Sequence, residues 1–178
     1  MRLFIGALIP EEIRKQLLNY INSLKSHIDG VKWEKSDKLH ITLKFLGDVE
    51  DSNLDNITNL LKRLVEESSS FKFRIAEFGG FPNLNNPKVL YMGLSENREF
   101  LKFQKKLDQG LCELGFEKEH RRFIPHITLG RVKKKINIMS SQATTHSSFE
   151  IVDIGLICSE LRPKGSVYTP VKTYKLEK

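Results

Sequence analysis

Four residues occur twice in this chain: His40-Ile41-Thr42-Leu43 returns as His126-Ile127-Thr128-Leu129, an offset of 86 positions. Leu3-Phe4-Ile5-Gly6 parallels Leu90-Tyr91-Met92-Gly93 at 87, and Ser70-Phe71 parallels Ser148-Phe149 at 78. Three matches in one order mean that a half has been written twice, the second copy having lost residues between its later strands. Two copies at this period specify a duplicated α/β unit and not a solenoid.

The segments between the matches agree. In the first half a strand over Arg2–Ile9 meets Pro10 at a helix start, with Glu11 and Glu12 in the first turn, where negative charge is favoured. Ile13, Leu17, Ile21, Leu24 and Ile28 recur at helical spacing as one buried stripe. After Gly30 comes a short extended piece around Trp33, then a strong strand over Leu39–Leu46. A second helix carries Leu54, Ile57, Leu61, Leu64 and Val65 and ends at Ser68-Ser69-Ser70. The strand Phe71–Phe78 alternates and stops at Gly79-Gly80. The second half offers a strand over Lys88–Leu94, a helix over Glu96–Leu114 and a strand over Ile124–Val132. A shortened polar connection follows over Lys133–Ser147. Phe149–Leu161 and Val167–Leu176 then form a hairpin about Arg162-Pro163-Lys164-Gly165. The expectation is an α+β fold: one bilobal domain over 1–178, duplicated roughly as 1–82 and 88–178. Two antiparallel sheets face a central cleft across a pseudo-two-fold axis, with helices packed outside.

Composition narrows the classes. An apolar fraction of 39% in 178 residues supports a real core and leaves no reason to expect disorder. Lys plus Arg exceed Asp plus Glu by 29 to 22, a formal charge of +7. That surplus favours a polyanionic partner, although inert basic proteins share it. Cys112 and Cys158 belong to no CxxC pair, which argues against a disulfide framework or a zinc site, and each reads as a buried, inert thiol. The apolar run Leu3–Ile9 is too short for a membrane span and lacks a cleavage site, so a cytosolic protein is expected.

The repeated motif carries chemistry. Residues two apart in a strand share a face, so His40 and Thr42 point one way while Ile41 and Leu43 enter the core. His126 and Thr128 do the same. A pseudo-two-fold then gathers two imidazoles and two hydroxyls around one small volume. Imidazole titrates near 6.5, so one ring can be free base while the other is protonated. Such a pair suits in-line displacement at phosphorus, one His taking a proton from water and the other giving one to the departing oxygen. Thr42 and Thr128, good strand formers in any case, can donate to non-bridging oxygens. Arg131, beside Gly130, can bring a permanent positive charge. His27, His120 and His146 lack such context and read as surface residues. Arg121-Arg122 and Lys133-Lys134-Lys135 read as solvated faces, with RNA guidance as the alternative. Catalytic zinc wants three ligands, usually with a carboxylate, and magnesium wants carboxylates. Neither motif has one, and Asp48 and Asp51 fall where a loop begins. No metal or cofactor is expected.

Val31-Lys32-Trp33 through Leu39-His40-Ile41-Thr42-Leu43-Lys44-Phe45-Leu46-Gly47 resembles the first motif of the two-histidine phosphoesterases, and more narrowly of the RNA 2′,3′-cyclic phosphodiesterases, also called the 2′-5′ RNA ligase family. Phe123-Ile124-Pro125-His126-Ile127-Thr128-Leu129-Gly130-Arg131 is similar to the second motif. Ser159, Leu161, Gly165 and Tyr168 resemble the C-terminal hairpin signature. The resemblance implies hydrolysis of an RNA 2′,3′-cyclic phosphate to a 2′-phosphomonoester, with His40 as proton donor to O3′ and His126 as base for water. It also implies a weak reverse joining through a 2′-5′ linkage. Gly130 stands where Ala is common, a departure expected to matter little, and Ile124 stands where a basic residue is frequent. The partner is then an RNA with a cyclic phosphate end, bound by a monomer with no membrane and no obligate protein partner. Trp33, Phe45 and Tyr168 are candidates to stack a base. The alternatives are a relative acting on another 2′-5′ or cyclic nucleotide, or a catalytically inactive RNA-binding module.

Overall fold

The computed structural model describes residues 1–138, 146–163 and 165–178. Part of the Lys133–Ser147 connection and Lys164 of the hairpin turn lie outside them. The elements run β1 (Arg2–Leu8), α1 (Glu11–Lys25), β2 (Val31–Trp33), β3 (His40–Asp48), α2 (Leu54–Glu66), β4 (Phe71–Phe81), β5 (Val89–Leu94), α3 (Arg98–Glu113), β6 (His126–Val132), β7 (Ser148–Ile151), β8 (Asp153–Arg162) and β9 (Gly165–Lys175).

Each strand's alternation explains where it lies. Leu3, Ile5 and Ala7 of β1, Ile41 and Leu43 of β3, and Ile127 and Leu129 of β6 are buried on one side. The stripe Ile13, Leu17, Ile21 and Leu24 seals α1 against this core; Ile28 falls past its end and is half-buried. On α3, Asn97 caps the N-terminus by accepting from the Phe100 N–H at 2.9 Å, and Phe100 packs edge-on against Phe71 and Phe73 of β4, both at 5.0 Å. Tyr174 of β9 donates to the Thr58 carbonyl of α2 at 2.9 Å. No helix among the described residues is long and apolar enough to cross a membrane.

The strand order is β7-β4-β5-β6-β3-β1-β8-β9, with β2 on β6. All named pairings are antiparallel. Two half-sheets thus meet edge to edge at a single residue pair between β3 and β6, Ile41 opposite Ile127. They exchange strands between the sequence halves: β4 pairs with β5, while β8 and β9 pair outward from β1. The run expected over Phe149–Leu161 is therefore two strands. It breaks at Val152, where the chain leaves β4 for β1 and where the Val152 carbonyl accepts from Leu176 instead.

Other differences have local causes. β4 continues through Gly79-Gly80 to Phe81 because Gly79 lies opposite Tyr91 and its missing side chain leaves room for the ring; a Cβ there would come within 2.5 Å of it. β6 starts at His126, since Pro125 has no N–H to give a ladder. Asp48 is the last residue of β3, opposite Arg2, and is not in a loop. Cys112 and Cys158, expected to be buried, are both half-buried free thiols.

Both copies of the motif also carry a β-bulge, which strict alternation does not foresee. Against β1, Gly6 opposes Thr42 and Ile5 opposes Lys44, so Leu43 is the extra residue. Against β5, Tyr91 opposes Thr128 and Leu90 opposes Gly130, so Leu129 is extra. A bulge puts two consecutive side chains on one face. Lys44 therefore follows Leu43 to the helix side and Gly130 follows Leu129, while Phe45 and Arg131 turn onto the face of His40 and His126.

Candidate active site

The antiparallel sense at Ile41 and Ile127 sets Thr128 beside His40 and His126 beside Thr42. All four side chains are half-buried over a floor of fully buried neighbours. The local pseudo-two-fold therefore gathers the two imidazoles and two hydroxyls into one cleft. The bulges add Phe45, 67% exposed, and Arg131, whose guanidinium lies 3.8 Å from the half-buried carboxylate of Glu34.

Each imidazole is oriented the same way. His40 Nδ1 is 2.7 Å from the Lys38 carbonyl and His126 Nδ1 is 2.6 Å from the Ile124 carbonyl, both two residues back. A carbonyl only accepts, so in the neutral ring Nδ1 carries the hydrogen and Nε2 the lone pair. His40 Nε2 lies 2.9 Å from Thr42 Oγ1, whose hydroxyl donates to it. Lys38 closes a 3-10 turn over Ser36–Lys38, and Ile124 is held extended by the following proline; these two carbonyls set the aim of both rings.

Aromatic rings wall each histidine. The His40 ring lies 4.8 Å from Phe4 and 5.6 Å from Tyr168, edge-on to the latter. His126 meets Phe81 at 4.9 Å and Tyr91 at 5.4 Å, and those two rings stack at 4.2 Å. Gly6 passes over His40 so closely that a Cβ would sit 3.1 Å from the ring.

This enclosure sets the titration. Burial pushes His40 down from 6.5 to about 4; the Lys38 hydrogen bond opposes the shift, and the nearby charges of His126 and Arg131 add to it. Burial also lowers His126, against the Ile124 hydrogen bond. Both shifts favour the neutral rings in the free protein. Burial likewise raises the Tyr168 hydroxyl. A stability effect follows. Below pH 6.5 the unfolded chain protonates His40 while the folded chain does not until about pH 4, so stability falls with pH across that window. The full shift is worth about 3 kcal/mol. Denaturant unfolding at pH 7.5 and 4.5 should show a loss smaller by about that amount in His40→Asn; equal losses in the two proteins would remove this account.

A model of the LigT-like phosphoesterase family matches residues 8–91 and 93–168. The chain belongs to this family. Among related LigT-like proteins, the RNA 2′,3′-cyclic phosphodiesterase of Methanocaldococcus jannaschii is 34% identical over 98% of this chain and 100% of its own length. That of Archaeoglobus fulgidus is 32% identical over 98% and 100%. The crystal structure of TT0787 from Thermus thermophilus superposes with a TM-score of 0.89 at 30% identity, covering 99% of this chain and 98% of that one. E. coli LigT complexed with 3′-AMP superposes at 0.84 with 24% identity over 99% and 98%, a likeness of fold.

Within this LigT-like phosphoesterase, His40, His126, Thr42, Thr128, Arg131, Phe45 and Tyr168 all face the cleft. Trp33 does not. It lies on the core side of β2 opposite Gly130, which corrects its reading as a stacking surface. Gly130 matters for the same reason: a Cβ there would come within 2.6 Å of Val31 and 3.1 Å of Trp33, so an alanine needs both to move. His27, His120 and His146 are exposed. Arg121-Arg122 and Lys133-Lys134-Lys135 are exposed as well. Sequence reasoning missed Phe4, Tyr91 and Phe81, although the 87-residue offset already set Phe4 and Tyr91 at equivalent places. Among the described residues no cluster of three or more His, Cys, Asp or Glu side chains could hold a metal ion.

Proposed function

We propose that this LigT-like phosphoesterase hydrolyses the 2′,3′-cyclic phosphate at the end of an RNA to a 2′-phosphomonoester without a metal, His126 and His40 acting as base and acid. The observation that carries the reading is the pair of rings, each held through Nδ1 by the carbonyl two residues back, which leaves Nε2 as the nitrogen for the cleft, that of His40 resting on Thr42 Oγ1 at 2.9 Å. The relatives' names supply the substrate class. His126 Nε2 takes a proton from a water as its oxygen attacks phosphorus in line with the P–O3′ bond. That bond breaks, and O3′ receives the proton from His40 Nε2. Thr42, Thr128 and Arg131 hold the non-bridging oxygens, and Phe45 and Tyr168 face the terminal base. When the 5′-hydroxyl of a second RNA attacks phosphorus in place of water, giving its proton to His126 Nε2, the same P–O3′ bond breaks, O3′ takes a proton from His40 Nε2, and a weak 2′-5′ ligation results. The protein acts as a cytoplasmic monomer built on an internal duplication.

The acid must first gain a proton. A bound phosphate anion opposes the burial that depresses His40, so substrate itself charges the ring. In the free protein the productive state holds one proton between two depressed imidazoles. The kcat/KM bell therefore has one limb near 4 and the other below 6.5. It lies wholly on the acid side of neutrality and falls about tenfold per pH unit above the higher limb. The kcat profile, which reports the complex, should be displaced upward. A kcat/KM that stays level from pH 6 to 8 would exclude the pair as acid and base.

Arg131→Ala should lower kcat/KM by about tenfold or more, roughly the worth of a charge-assisted contact, and an unchanged value would put the guanidinium outside the reaction. The reading as a whole is tested on a short RNA ending in a 2′,3′-cyclic phosphate, with excess EDTA, comparing intact protein with His40→Ala. A 2′-phosphate that forms under EDTA and is lost in the variant supports it. No product from the intact protein moves weight to another cyclic nucleotide or to an RNA-binding role.

A further inference from the structure

Beside the reacting groups, a row of cations on the cleft face outnumbers its counter-charge among the described residues. Lys32 of β2 lies directly across from Arg131 of β6, so the two side chains share the cleft face as like charges, an arrangement that costs stability unless an anion lies between or beside them. Glu34 offsets Arg131 at 3.8 Å. Lys32 and Lys38 are in no ion pair among the described residues. Both ammonium groups instead converge over the bare Cα of Gly165, at the start of β9: a Cβ there would sit 3.3 Å from Lys32 Nζ and 3.6 Å from Lys38 Nζ. Gly165 has φ +120°, a conformation that favours glycine, so nothing at this position fills the space between the two amines.

The pair is tied to the reacting end. Lys38 Nζ stands 5.5 Å over the Tyr168 ring, and that ring is 5.6 Å from His40. The Lys38 carbonyl is the one that orients His40. Lys38 Nζ therefore lies within roughly 11 Å of the His40 ring, and Lys32 Nζ meets it over Gly165, along a polymer whose charges recur every few ångströms.

Resting on the cyclic-phosphate reading above, we infer that Lys32 and Lys38, over Gly165, form a second phosphate subsite that holds the phosphodiester preceding the terminal nucleotide. The protein is then built for oligonucleotide ends in preference to cyclic mononucleotides. Arg131 serves the terminal phosphate and the lysines the next one.

The test compares kcat/KM for adenosine 2′,3′-cyclic phosphate, for a dinucleotide with the same end, and for that dinucleotide with an uncharged methylphosphonate linkage. Intact protein should favour the charged dinucleotide by about tenfold or more. Lys32→Ala/Lys38→Ala should shrink that ratio about tenfold, Lys32→Arg/Lys38→Arg should restore it, and the methylphosphonate should gain nothing in any protein. The slope of log kcat/KM against log salt should flatten by about 0.7 in the alanine pair, the value for one phosphate of a single strand. A ratio and slope unchanged in the alanine pair overturn the subsite while leaving the hydrolase reading intact. If no substrate is turned over, the hydrolase reading fails, and dissociation constants for the charged and methylphosphonate dinucleotides decide the subsite alone. A preference for the charged form that the alanine pair abolishes supports it; equal binding of the two by intact protein overturns it.

Discussion

His40→Ala and His126→Ala are each expected to slow turnover of a 2′,3′-cyclic phosphate by about 10²–10⁴, or roughly 3–5 kcal/mol of barrier. The two losses should differ in kind. Without His126 the charge that helps depress His40 is gone, so the surviving acid titrates higher and the pH profile keeps a single limb, moved toward neutrality. Without His40 the leaving oxygen has no positioned donor, and a substrate with a better leaving group should recover much of the rate. Near-normal turnover in either variant would take that residue out of the mechanism. Because His40 Nε2 accepts from Thr42 in the free protein, Thr42→Val should also be scored, to separate loss of the ring from loss of its partner.

The largest effect on stability belongs away from the reacting atoms. Lys44 and Asp108 form an ion pair at 2.5 Å with side chains only 9% and 10% exposed. Asp108 accepts from the Glu119 N–H as well, at 3.2 Å and 3.3 Å to its two oxygens, and Lys44 donates to the Glu117 carbonyl at 2.7 Å. The pair binds β3 to α3 and to the segment after it. Asp108→Ala leaves an ammonium buried against one carbonyl and should cost about 3–5 kcal/mol. Lys44→Met/Asp108→Leu, which removes both charges, should recover most of that loss. Urea unfolding of the three proteins shows whether removing the second charge recovers the loss, and a single variant within about 1 kcal/mol of the intact protein would show that water or movement relieves the lone charge.

Lys44 also shows where reading the sequence stops. Period-two alternation correctly set His40 and Thr42 against Ile41 and Leu43, and the offset of 86 paired them with their second copy. Alternation continued past Leu43 would put Lys44 toward the cleft and Phe45 in the core. The bulge reverses both, and its twin at Leu129 does the same for Arg131. No residue type there announces a bulge: it arises from how each motif strand fits the neighbour it pairs with. The depressed imidazoles were hidden for a similar reason. Their walls, Phe4 and Tyr168 on one side and Phe81 and Tyr91 on the other, come from four strands distant in the chain. Secondary-structure order was legible because helix stripes and strand alternation are local; the partner of each strand was not.

That partnering bears on how the molecule is made. Leu3 of β1 lies opposite Cys158 of β8, so during synthesis β1 waits for every strand from β2 to β7 before its outer neighbour exists. Until then β1 keeps an open backbone edge and β4 can pair only once β5 has followed it. Pairing over such separations slows folding and leaves strands exposed to wrong partners in the meantime. A ribosome-bound chain stopped short of β8 should therefore leave β1 protease-sensitive, with its protection arriving when β8 and β9 emerge.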